Sequence, residues 1–68
     1  MNDYIWVIKV TFPNKEVNFN EGYKTLQECL NSIRKKINNY EDMYIINEFT
    51  IKDLDSEIIY EAKCVTIK

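Results

Sequence analysis

Histidine is absent from these 68 residues, and with it the side chain that most often acts as general base near neutral pH. Cysteine occurs twice, at Cys29 and Cys64, with no Cys-x-x-Cys pair. That spacing offers neither a zinc site nor a disulfide framework. No run approaches the ~20 apolar residues of a membrane span. Met1-Asn2-Asp3 lacks the positive charge and apolar stretch that open a secretory leader. A cytoplasmic protein with no membrane association is expected. The net charge of −2 is too small to create a strong field toward nucleic acid or lipid.

Alanine, glycine, proline and arginine each occur once, whereas Ile, Lys, Asn and Tyr together supply 31 of the 68 residues. The favoured types have A/T-rich codons, which points to a low-GC genome such as that of a low-GC bacterium, its phages or its plasmids. A chain this short forms one domain, residues 1–68. It buries only about 60% of its unfolded surface. Small proteins compensate with disulfides, metals or oligomerisation, and the composition leaves the third.

Two segments carry apolar residues at every position, Tyr4-Ile5-Trp6-Val7-Ile8 and Met43-Tyr44-Ile45-Ile46. A half-buried strand alternates; a strand covered on both sides does not. The first strand runs over 4–12, with Tyr4, Trp6, Ile8, Val10 and Phe12 toward the core. Pro13-Asn14 breaks it. A four-residue loop, 13–16, then pairs Phe12 with Val17 and Val10 with Phe19, turning Val17 and Phe19 inward. Gly22 marks the exit from this hairpin.

Thr25-Leu26-Gln27-Glu28 matches a capping box. Leu26, Cys29, Leu30, Ile33 and Ile37 follow as one apolar stripe of a helix reaching about Asn38, with Asn39 as a left-handed cap. A third strand is expected over 43–52 and a fourth over 57–67, joined by a turn at Asp55-Ser56. In that register Glu48 faces Lys63, Ile46 faces Val65 and Tyr44 faces Ile67; Ile51 faces Tyr60 and Phe49 faces Ala62. The expected fold is α+β: ββαββ, a four-stranded, mostly antiparallel sheet with one helix on one face.

The motifs of catalysis are missing. Ser32 is placed on the exposed side of the helix and Ser56 in a turn. Cys29 and Cys64 read as two small buried apolar side chains; the pattern leaves open whether they approach across the core, and an intracellular setting disfavours a bond between them. Asp53, Asp55 and Glu57 lack the glycine and the bidentate glutamate of a calcium loop. No cofactor, metal or catalytic residue is therefore expected, and an enzyme is the least favoured class.

One helix covers one face of a sheet, so the opposite face needs another cover. Ile5, Val7, Tyr44, Ile46, Val65 and Ile67 are placed there, with charges toward the hairpin turns. A rimmed apolar patch of this kind marks an interaction site. Trp6 reads as a core anchor, or as an interface hot spot. Residues 41–68 hold seven acidic and three basic groups. Glu48, Asp53, Asp55, Glu57 and Glu61 thus form a secondary acidic surface. Strand three or four makes a better pairing edge than the short, polar strand two. The expectation is a homodimeric protein-binding module, of the kind a phage or mobile element uses to inhibit a host or defence protein. The alternative is a small nucleic-acid-binding regulator using Arg34, Lys35 and Lys36 at the helix end. Three cations in the last turn also complement the helix dipole, and nucleic acid is the less favoured partner.

Overall fold

The computed structural model describes residues 3–67, with the side chains of Glu21 and Ile67 outside the description. The chain forms β1 (Asp3–Thr11), β2 (Val17–Tyr23), α1 (Leu26–Lys36), a 3-10 turn (Tyr40–Asp42), β3 (Met43–Asn47), β4 (Thr50–Asp53) and β5 (Ile59–Ile67). The five strands make one antiparallel sheet in the order β2-β1-β5-β4-β3. The fold is thus α+β with one helix on an antiparallel sheet, but five described strands replace the expected four.

The difference lies in residues 43–53. They fold back on themselves around Glu48-Phe49 instead of running straight. Asn47 makes the turn: its Oδ1 accepts the Phe49 N–H at 2.9 Å, the Asx geometry by which Asn reverses a chain. Ile45 then faces Ile51, and Tyr44 faces Lys52. Ile46 is the extra residue of a bulge between Ile45 and Asn47. Because β4 separates β3 from β5, the expected pairs Glu48–Lys63, Ile46–Val65 and Tyr44–Ile67 do not form. The other half of that register holds. Ile51 faces Tyr60, and the Ala62 N–H donates to the Phe49 carbonyl at 2.8 Å.

The first hairpin begins one residue out of its expected register. Phe12 accepts from the Lys15 N–H (2.8 Å) and donates to the Glu16 carbonyl (2.9 Å). Lys15 sits in the left-handed region at φ 73°. This is a three-residue loop closed by a left-handed residue, not a four-residue loop. Val17 therefore faces Thr11, and Phe19 faces Lys9. A one-residue slip exchanges the faces of a strand, so Val17 and Phe19 turn away from the helix, 41% and 63% exposed. The slip is then reversed. Ile8 faces Asn20 but Val7 faces Gly22, leaving Glu21 as the extra residue of a bulge. Beyond it Tyr23 faces Trp6 and points to the helix side, where its hydroxyl lies 2.7 Å from Ser32 Oγ. Ser32 is accordingly half-buried, not on the exposed side of the helix.

The helix starts as expected: Thr25 Oγ1 accepts the Glu28 N–H at 3.2 Å. It ends at Lys36, where Ile37 caps it in an extended conformation. Asn39 is not a left-handed cap. It is extended, and its Oδ1 accepts the Glu41 N–H to open the 3-10 turn. The apolar stripe buries Cys29, Ile33 and Ile37 against Ile8 and Val10 of β1, Ile51 of β4, and Tyr60 and Ala62 of β5.

Two core groups tie stability to alkaline pH. Burial pushes the Cys29 thiol above its ordinary pKa. Burial, then the nearby Asp53 carboxylate, does the same to the Tyr60 phenol. Both are neutral when protonated and hold the proton more tightly folded than unfolded. Their contribution is complete below the unfolded pKa values and is lost as pH rises through the folded ones. Urea midpoints should therefore fall above about pH 9, and Tyr60→Phe should flatten the decline; an equal slope in that variant would contradict the assignment. Lys15→Gly should raise stability by about 0.5–1 kcal/mol by relieving the left-handed backbone, whereas Lys15→Val should lower it, both read from urea unfolding.

Candidate interaction surfaces

On the face opposite the helix, cross-strand pairs set the neighbours. Val7 lies between Gly22 of β2 and Lys63 of β5, and Ile5 lies beside Val65. Gly22 has a structural role here. A Cβ at this position would run into Ile5 Cδ1 and Cγ1, so the absent side chain lets Ile5 lie across the β2 backbone. The structure therefore brings Ile5, Val7 and Val65 together, the first two half-buried and Val65 44% exposed. Ile67 faces Asp3 in the ladder; its side chain lies outside the described residues.

Tyr44 and Ile46 do not join this group. Both lie on β3 at the far edge, Tyr44 across from Lys52 and Ile46 in its bulge. Their place is taken by Val17 and Phe19, which the shifted hairpin delivers to the outer face. Charges interrupt the surface in the middle: Lys9 stands between Phe19 and Glu61. The only sign of this in the sequence is the short spacing from Pro13 to Val17, which suits a three-residue loop only if Lys15 adopts a left-handed conformation.

Beyond Trp6↔Tyr23 no β2 partner continues along β1, and beyond Thr50↔Glu61 no β4 partner continues along β5. The segments around Asp3–Ile5 and 63–67 therefore form a two-stranded ribbon. This explains Tyr4-Ile5-Trp6-Val7-Ile8. Its odd members lie on the outer face. Ile8 is fully buried beneath the helix, whereas Tyr4 is 59% exposed. Trp6 is half-buried and stacks on Phe49, with ring centroids 6.1 Å apart and planes at 13°. Cys64, opposite Trp6 on the helix side, is exposed and free, and Cys29 is buried and free. The sequence expectation of two buried thiols holds for Cys29 only, because the helix does not reach over the ribbon. The free sheet edges belong to β2 and β3; of the third and fourth strands expected to make the better edge, the first part of the third does so and the last strand is central.

The acidic residues are dispersed. Asp53 closes β4 on the helix side; its Oδ1 accepts the Asp55 N–H and its carbonyl accepts the Glu57 N–H at 2.7 Å. Asp55 and Glu57 belong to that loop, with Glu57 left-handed at φ 62°. Glu48 lies in the opposite turn, and Glu61 faces Lys9 in mid-sheet. Among the described residues no group of three or more His, Cys, Asp or Glu is placed to hold a metal.

Arg34, Lys35 and Lys36 are exposed in the last turn of α1. Arg34 and Lys35, with Asn31, Ile37, Asn38 and Tyr40, line a shallow cleft of about 490 Å³. Tyr40, at 82%, is the most exposed large apolar side chain among the described residues. The sequence pattern does not connect it with the basic turn, from which only residues 37–39 separate it along the chain. No described helix is long and apolar enough to cross a membrane. Comparison of the chain with protein-family models, with curated proteins and with solved structures found no match.

Proposed function

We propose that the chain is a non-enzymatic protein-binding module that docks through the outer face of its sheet. The observation that carries this reading is the grouping of Ile5, Val7 and Val65 over Gly22, on a face that no element among the described residues covers. Phe19 and Val17 extend the same face toward β2. Burying each aliphatic member of such a patch contributes roughly 1.5–3 kcal/mol, enough together to offset part of the cost of association. The fully buried Cys29 thiol, held protonated by burial, is a poor nucleophile. Homodimerisation is the simplest use of the face, and capture of a host protein by a mobile-element inhibitor is the second. The polar surroundings are mixed, with Lys9, Lys52 and Lys63 beside Glu61, so the acidic surface is not the main determinant on this side. Light scattering at ~100 μM should show a dimer, and Val65→Glu with Val7→Glu should return it to monomer with unchanged far-UV circular dichroism. A wild-type monomer would refute the homodimer.

A second reading rests on the cleft at the helix end, where Arg34 and Lys35 supply cations, Asn31 and Asn38 supply amides and Tyr40 supplies an open ring. Single-stranded nucleic acid uses this combination of charge and stacking. A labelled oligonucleotide should then bind with strong salt dependence and lose affinity in both Arg34→Glu and Tyr40→Ala. Binding that survives Tyr40→Ala would reduce the cleft to a simple charge contact.

A further inference from the structure

The helix side of the sheet is only partly covered. A helix about 10 Å wide spans two or three strands set ~4.8 Å apart. The principal sheet contacts of α1 are with β1, β2 and β5. The β3–β4 hairpin lies beyond them. Ile51 is buried at its inner margin, but Ile45, directly across from it, is 60% exposed and Phe49 is 38% exposed. Phe49 continues through its stack on Trp6 toward Tyr4. The result is an apolar strip about two strands wide, beside α1 and on the side of the sheet opposite Val65.

The charge carried by the hairpin segment itself is one-sided, although the last turn of α1 beyond it is basic. Residues 40–57 hold six carboxylates, Glu41, Asp42, Glu48, Asp53, Asp55 and Glu57, against one cation, Lys52. Lys52 faces Tyr44 and Ile59, on the outer side. Asp53 is on the helix side, close enough to Tyr60 to disfavour its ionisation. Glu48 stands at the other end of β4, in the turn beside Phe49. A strand rises ~3.3 Å per residue, so the five steps between these two carboxylates span at most about 16 Å along the strip. At 1.5 Å per residue that is about eleven helical residues, or three turns, which returns to the same helix face.

We propose that the β3–β4 strip is a docking site for a basic amphipathic helix of a partner protein, lying beside α1 as a second helix on the sheet. Its apolar stripe covers Ile45, Phe49 and Trp6. Lysines or arginines about three turns apart meet Glu48 at one end and Asp53 with Asp42 at the other. Width selects a helix for this face, and charge selects a basic one over a second copy of this chain, whose matching strip is equally acidic. The site is independent of the outer-face reading.

Trp6, the only tryptophan, reports on the site directly. The probe is an 18-residue tryptophan-free peptide with leucines at helical spacing flanked by lysines. Its controls are a glutamate-for-lysine peptide and a scrambled peptide of identical composition. The basic amphipathic peptide should shift Trp6 emission to the blue in a saturable way, and the two controls should not. Ile45→Glu should weaken binding at least tenfold and Glu48→Lys several-fold, while Val65→Glu leaves it unchanged. Ile45 and Glu48 are exposed, so both variants should keep the wild-type circular dichroism and urea midpoint. The proposal is overturned if the basic peptide leaves Trp6 emission unchanged, if the scrambled peptide binds equally well, or if Ile45→Glu binds like wild type. A wild-type dimer dissociated by Ile45→Glu would assign the strip to a second copy and equally overturn it.

Discussion

The pairing of β1 with β5 holds the rest of the sheet in place. The two strands form nine consecutive register pairs, from Asp3↔Ile67 to Thr11↔Ile59, and join residues at opposite ends of the described chain. Each is also the attachment point of a hairpin partner, β2 on β1 and β4 on β5. A two-stranded hairpin alone in water is marginally stable at best. The helix needs both central strands, since Ile8, Val10, Tyr60 and Ala62 form the floor on which Cys29 and Ile33 rest. The core is therefore assembled only when the most sequence-distant contact is made, an ordering that raises contact order and slows folding.

That geometry shows why some features could be read from the sequence and others could not. The helix start was legible because a capping box and an apolar stripe agree on it. The Ile51–Tyr60 pairing was legible because an Asp-Ser turn fixes its centre. The break at Glu48-Phe49 was hidden: no glycine marks it, and Ile45, Phe49 and Ile51 keep one alternation going through it. The turn is made by Asn47, a residue equally at home in a loop. Of the candidate docking residues, Ile5 and Val7 fall on the outer face as expected because β1 carries its own pattern, whereas Val65 joins them through its pairing with Ile5 and not through the expected pairing with Ile46. Tyr44 and Ile46 were misplaced because their location depends on which strand lies next to β3, and that is a tertiary property.

The two sides of the sheet are incomplete for different reasons. Outside, no element among the described residues covers the surface, and its apolar residues are interrupted by Lys9, Glu61 and Lys63. Inside, a cover exists but is narrower than the sheet. The Trp6–Phe49 stack lies at the boundary, where the ribbon, the hairpin tip and the helix margin meet. A single aromatic pair thus joins β1 to the tip of the β3–β4 hairpin across β5.

The register of β2 has a further consequence. Its first half is displaced by one residue at Lys15, and the bulge at Glu21 restores the alignment, so the two irregularities cancel before Tyr23 reaches Trp6. An arrangement with the extra residue held in the 13–16 loop would leave Tyr23, Trp6 and the Ser32 contact where they are. It would only exchange Val17 and Phe19 with Asn18 and Asn20 between the two faces. β2 is an edge strand, paired on one side only, and all four residues are exposed. Migration of a single bulge along this strand would therefore convert a greasy outer border into an amide-rich one while the buried residues stay in place.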